Sequence, residues 1–280
     1  MNSNIIQVQN ISGTTQDIAI DFHDIAYYGD KNTPGVRGIK PKGGTSWGHS
    51  FCTLDLIGTT KSTLDIIDIN GLTKNYTVLM ESLLERIGKM NVQIGTLFID
   101  QEFFNGKVIS AIHGKDFDYV IAAKSNKRIK KILGTHTKIF GRTSTIFNYK
   151  FDNYAEEFKI VAKANPHYDP NAKVQNGNTE YHLFATNKNL TSASELISLV
   201  PEEYRKRWNI ETGYRVKNAF KIRTCSKSPV VRALFFTLQC ILGNVLNMLK
   251  TGLDITAYQL KSAYVMIFLN ASNMVMNHCA

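Results

Sequence analysis

Cysteine and proline are scarce in this chain. Four cysteines and six prolines stand in 280 residues. Cys52, Cys225, Cys240 and Cys279 are scattered, with no C-x-x-C and no paired histidine spacing. That excludes a disulfide framework and a zinc ribbon, and it fits a reducing cytoplasm. With 19 glycines against the six prolines, the chain is neither collagen-like nor of low complexity, and it shows no internal repeat. The opening MNSNIIQVQN lacks a charged segment followed by an apolar run, so no signal peptide is expected. Long uncharged runs are also missing. Ala233–Leu249 has 17 residues without charge but contains Gln239, Asn244 and Asn247. It falls short of the roughly 20 residues of a membrane span and reads as a buried core helix. Acid is in short supply too, 23 acidic against 33 basic residues, for a formal charge of +10. Such an excess favours a polyanionic partner, nucleic acid before a membrane surface.

What is present suits a globular protein: 43% of residues are hydrophobic and 20% charged. That is enough for one large domain, or one domain carrying an insertion. Asp17–Asp21 begins a strand that continues in aromatic and β-branched residues. Gly29–Gly44 reads as a polar loop, and Ser50–Ile57 and Ser62–Ile69 as a hairpin. Asn75–Met90 has helical spacing, and Gly95–Asp100 is an apolar run ending on an acid, as expected of a strand buried on both faces. A helix over Phe103–Ile112, a strand over Asp118–Ala123 and the basic segment Lys124–Lys131 follow. This order implies an α/β layer with a mixed sheet flanked by helices. Short Thr-, Tyr- and Phe-rich runs then predict a β-rich insertion over 136–189, between core segments 15–135 and 190–250. Ser192-x-x-Glu195 matches a capping box, and a C-terminal helix is expected over 254–277.

One stretch, Pro201–Thr224, carries an unusual side-chain set. Pro201 suits a first helical position, with Glu202 and Glu203 in the first turn. At 100° per residue, Tyr204, Arg207 and Glu211 fall within about 60° of one another. The face therefore holds a phenol, a guanidinium and a carboxylate among many cations. A solvated basic helix with an internal Arg–Glu pair would account for it by charge alone. Far upstream, Asp21 and Asp100 close apolar strands, where carboxylates are fixed and still solvated enough to ionise. Two such acids from adjacent strands and one from a helix suit a pair of Mg²⁺ ions, while a single strand-end Asp more often caps a turn.

These residues carry a family resemblance over most of the chain. It resembles the catalytic domain of insertion-sequence transposases of the DDE type, which have an RNase H-like fold. It is similar to the subgroup with a Tyr-x2-Arg-x3-Glu-x6-Lys signature. Tyr204, Arg207 and Glu211 match the first three positions, and Trp208 fits as well. Asp21, Ile25 and Tyr27 match the first acid's context, and Phe98-Ile99-Asp100 with Phe103 and Phe104 the second. A β-rich insertion before the third acid is also usual there. The resemblance implies that Asp21, Asp100 and Glu211 hold two divalent ions, Mg²⁺ or Mn²⁺. It further implies cleavage of phosphodiesters at element ends and joining to target DNA, by a homodimer in the DNA complex and without a membrane. Arg207 would neutralise a phosphate, Tyr204 contact the terminal backbone or a displaced base, and Lys124–Lys131 track DNA.

The chain departs from the signature in two ways. Asn218 stands where the signature has lysine, and Lys217 lies one residue early. Lys217 would sit about 120° around the helix from Glu211, which argues against it as a simple substitute, whereas Arg215, about 40° away, is on the right face; both are kept as phosphate contacts. Only 20 residues precede Asp21, so an N-terminal DNA-binding domain is expected to be absent and the chain a truncated copy. Asp24 is the alternative first acid, its other reading being an Asx-type turn cap. Asp68 reads as a turn residue, Glu102 as a first-turn helix residue, and His23 and His49 as satisfied or surface histidines. Four functions from this sequence compete: a cytoplasmic, nucleoid-associated transposase, an inactive DNA-binding relic, a protein anchored in a membrane by its C-terminal apolar helices, and a general metal nuclease on the same fold.

Overall fold

The computed structural model describes residues 13–58, 61–69, 75–172, 179–190, 192–207, 217–222, 224–250, 255–264 and 266. The first half holds β1 (Thr15–Ala26), β2 (Arg37–Lys42), β3 (Thr45–Leu56), β4 (Ser62–Asp68), α1 (Tyr76–Lys89), β5 (Gln93–Ile99), α2 (Gly106–Ile112) and β6 (Asp118–Ala122). The second half holds α3 (Lys127–Phe140), β7 (Thr145–Tyr149), β8 (Phe158–Ala164), β9 (Tyr181–Thr186), α4 (Ala193–Lys206) and α5 (Pro229–Leu249). Two compact units result. One gathers Phe22–Thr73 and Asn209–Ala280, the other Asn2–Asp21 and Lys74–Trp208, and β1 runs from one into the other.

The unit of 2–21 and 74–208 is a mixed sheet with helices. β1 and β5 are parallel, β5 and β6 are parallel, and β9, β8 and β7 continue antiparallel from β6. Ile18, Ile20, Leu97, Phe98, Ile99, Val120 and Ile121 are all buried, as strands covered on both faces require. The helices start where short polar side chains can cap them. Asn75, Asn105, Asn126 and Ser192 each accept from a backbone N–H three residues on. The Asn105 cap is why Phe103–Ile112 is two elements: a 3₁₀ turn at Gln101–Phe103, then α2.

Helix α3 runs on through Phe140, because Ile129 and Leu133 bury one stripe and the helix does not end until Gly141, at φ 70°. The β-rich texture therefore becomes sheet at Thr145, nine residues later than expected. Helix α4 begins at Ala193, with Pro201 inside it. Pro201 does not open a helix here, since the Ser192 cap and the buried Leu196, Val200 and Tyr204 at four-residue spacing set an earlier start.

The unit of 22–73 and 209–280 is built on β3. It pairs antiparallel with β2 through Arg37–Gly48 and with β4 through Phe51–Asp68. Strand β2 lies in the stretch expected to be a loop. Its Pro41 and lysines give it the composition of a short edge strand rather than an apolar one. Helix α5 packs Phe236 and Cys240 on Phe51, with the Phe rings 4.5 Å apart. Its Asn244 takes the backbone N–H of Thr63 at 2.8 Å and donates to the Thr63 carbonyl at 2.9 Å. A further helical run at 257–264 buries Leu260 against Phe220 and Leu246. Residues 255 and 256 precede this run, 266 is helical again, and the remainder of the expected 254–277 helix lies outside the described residues.

A carboxylate pair bridged by an arginine

Strand register brings two acids together. Along β1 and β5, Gln16 pairs with Ile94 but Ile18 with Leu97, so Gly95 and Thr96 both face Asp17. This is a β-bulge, and the Asp17 carboxylate accepts the Thr96 N–H at 3.1 Å in place of a ladder carbonyl. The shift then continues through Ala19–Phe98 and Ile20–Ile99. One step on, Asp21 stands beside Asp100. Without the bulge it would stand beside Ile99. Strand β1 continues to Ala26, so Asp21 does not close the strand; it lies where the pairing with β5 ends. Asp100 does close β5 and leads into the 3₁₀ turn.

The end of α4 supplies the third group. Arg207 reaches Asp21 Oδ1 with Nη1 at 3.3 Å and Asp100 Oδ1 with Nη2 at 3.7 Å. The three side chains are only 13–25% exposed, so one guanidinium balances two partly desolvated carboxylates. Among the described residues its Nε has no hydrogen-bond partner. Burial alone would pull its pKa down, but the Asp21 and Asp100 carboxylates help to outweigh that and raise it, so Arg207 stays cationic.

Three residues of the same helix turn hold it there. Glu203 pairs with Lys188 at 2.6 Å, Lys206 with Asp17 at 3.5 Å, and the Tyr204 hydroxyl donates to the Ile99 carbonyl at 3.3 Å. Tyr204 packs on Phe184 with rings 5.1 Å apart. Burial above all pushes its hydroxyl pKa well up, so it remains a neutral phenol. Tyr204 is therefore a buried brace next to Asp100, not an exposed contact for DNA. With Gln101, Phe184 and Pro201 it also lines a cleft of about 890 Å³.

Transposase DDE domain sequences match residues 16–244, a stretch that contains Asp21, Asp100, Arg207 and Glu211. The chain belongs to the transposase DDE domain family. Its structure is similar to a piggyBac transposase solved by cryo-EM in a synaptic complex with hairpin DNA. The TM-score is 0.64 at 14% identity, covering 93% of this chain and 54% of that one. The chain thus spans about half the length of that protein, and the likeness is one of fold, the α/β class with a mixed sheet that the element order implied. No curated protein matches in sequence.

Within this transposase domain the expected residues fare differently. Asp21, Asp100 and Arg207 come together, and Tyr204 braces them. Asp24 instead accepts the Ser50 hydroxyl, while its carbonyl takes the Lys42 ammonium. Lys217, expected at a phosphate, is buried and pairs with Asp55 at 2.6 Å, which also accepts from Thr53 and Thr63. Gly243 makes room for it, since a Cβ there would lie 3.0 Å from Lys217 Cγ. Trp208, Glu211 and Arg215 lie outside the described residues.

Nothing in the sequence signals the Asp55–Lys217 pair, because two charges 162 residues apart have no spacing to read. His49 is neither satisfied nor at the surface. It is fully buried, and among the described residues neither ring nitrogen has a hydrogen-bond partner. His23 is stacked on Phe236 at 5.0 Å rather than at the surface. Among the described residues no three His, Cys, Asp or Glu side chains form a metal-binding group. The pair Asp21 and Asp100 offers hard oxygen donors alone, a set that suits a hard divalent cation.

Proposed function

We propose that this transposase domain cuts phosphodiesters at the ends of a DNA element and joins them to target DNA. The observation that carries the reading is the Asp21–Asp100 pair on adjacent parallel strands, held by Arg207. Both carboxylates, with Glu211, would hold two divalent ions, Mg²⁺ or Mn²⁺. Bound there, the ions supply Lewis acidity to the phosphodiester and lower the pKa of an attacking water or 3′-hydroxyl. The protein's own groups prepare that site. Arg207 keeps two like charges adjacent before a cation arrives, and its planar fork offers a phosphate the same donors afterwards. Tyr204 fixes the turn from which Arg207 projects. The exposed lysines of Lys124–Lys131 follow a DNA backbone, and the working assembly is a homodimer on DNA in the cytoplasm.

A second reading keeps the binding and drops the cutting. Asn218, in the place of the signature lysine, accepts from Gln239 at 3.4 Å, which favours it. The two separate on DNA fragments carrying the sequences that flank the gene, incubated with Mg²⁺. The transposase reading expects nicks at defined positions, absent with EDTA and in Glu211→Gln. Retained binding without any nick, in Mg²⁺ and in Mn²⁺, sinks it in favour of the relic.

A further inference from the structure

A second feature lies wholly in the unit of 22–73 and 209–280, which contains neither Asp21 nor Asp100. The residues at the end of β1 and those leading into α5 line a groove of about 560 Å³. Lys221, Lys227 and Arg232 line it, and among the described residues no acidic one does. None of the three cations has a carboxylate partner among the described residues, and the first turn of α5 carries no acid either. Like charges gathered without counter-charge repel one another, and the positive end of the α5 dipole adds to them.

The groove is also shaped and partly rigid. Arg232 lies over the Tyr27 ring at 4.8 Å, and its Nε donates to the Ser226 carbonyl at 2.9 Å. Its outer nitrogens are thereby fixed in direction. Tyr28 is 71% exposed, yet its hydroxyl is anchored on the Gly43 carbonyl at 3.0 Å. An exposed aromatic plane beside aligned cations is the pairing that takes a sugar-phosphate backbone with an accessible base.

We infer that this groove is a second DNA-contacting site, in which Lys221, Lys227 and Arg232 meet backbone phosphates and Tyr28 packs on a sugar or base. It rests on the proposed function only in taking DNA as the polyanion. It needs no divalent ion and none of the residues around Asp21 and Asp100.

Cys225 supplies the probe, being an exposed thiol that lines the groove, whereas Cys52 and Cys240 are buried. The full chain carrying Cys279→Ser is alkylated with a maleimide, with and without duplex or single-stranded DNA, in EDTA. DNA is expected to slow labelling of Cys225 several-fold. In Lys221→Gln/Lys227→Gln the protection is lost, affinity at low salt falls on the order of tenfold, and the slope of log K against log[salt] drops by about two. Lys221→Arg/Lys227→Arg should restore both, which separates lost charge from lost folding. DNA that binds with unchanged salt slope in the Gln pair and leaves Cys225 fully reactive overturns the inference while leaving the carboxylate site standing. No DNA binding by the parent chain overturns both. Protection by phosphatidylserine vesicles and not by DNA overturns it in favour of a lipid surface.

Discussion

At the scale of single residues the site is a balance of charge. Two carboxylates at matching register repel each other, and Arg207 is what makes the arrangement tolerable without a cation. Arg207→Met takes the guanidinium away from two partly buried acids, which should destabilise the cation-free protein by about 2 kcal/mol. Mg²⁺ should restore more thermal stability to the variant than to the parent, because guanidinium and cation then no longer compete. Differential scanning calorimetry with and without Mg²⁺ checks it, and an unchanged melting temperature contradicts the bridging role. His23 gives a pH prediction. Burial first, then Lys42, Lys217 and Lys221, hold its pKa at about 3 against an ordinary 6.5. Below 6.5 the unfolded chain takes a proton that the folded chain refuses. Stability should therefore fall as pH drops from 6.5 towards 3, and be unaffected by this group above 6.5. His23→Phe keeps the stack on Phe236 and should flatten urea-unfolding stability across that window. The acids were legible because each ends or interrupts an apolar run. The pairing of Arg207 with them was not, since it depends on contacts 107 and 186 residues apart in sequence, and helix geometry pointed to Glu211 instead.

At the scale of elements, the bulge at Asp17 and the end of α4 decide the alignment. Asp17 replaces a missing ladder acceptor for Thr96 and also meets Lys206. The first interaction is partly buried and the second largely solvated, so they should separate by substitution. Asp17→Asn, which keeps an acceptor oxygen, is expected to cost under about 0.5 kcal/mol. Asp17→Ala leaves the Thr96 N–H unpaired and should cost about 1–2 kcal/mol in chemical denaturation. Equal losses in the two variants would mean that the bulge is not held by this bond. The strands and helices were readable from period and caps, and Ser192 proved the stronger signal than Pro201 for where α4 begins. The bulge was not readable, because one extra residue in a strand leaves the alternation of neighbouring side chains almost unchanged.

At the scale of the whole molecule, the basic excess and the apolar α5 pull towards different partners. Helix α5 is the one described helix long and apolar enough to cross a membrane, with a mean hydropathy of 1.6. Its Asn244 nevertheless clasps both backbone groups of Thr63, and Asn247 donates to the Lys61 carbonyl. Those bonds explain why polar residues interrupt an otherwise apolar run. Asn244→Leu should cost about 2–3 kcal/mol, since it strands a buried N–H and carbonyl together. A membrane anchor would instead tolerate the change and partition more strongly into vesicles, so unfolding and flotation measured together decide between them. The α/β order was visible along the chain. The gathering of 22–73 with 209–280 was not, because it rests on packing between segments far apart in sequence.

The central claim is that Asp21 and Asp100 form one cation site. Calorimetric titration of Mn²⁺ into the parent chain and into Asp21→Asn, Asp100→Asn and Asp24→Asn tests it most directly. The account predicts that Asp21→Asn and Asp100→Asn each lose most of the Mn²⁺ affinity, while Asp24→Asn binds as the parent does. Full binding in Asp21→Asn together with loss in Asp24→Asn would contradict it.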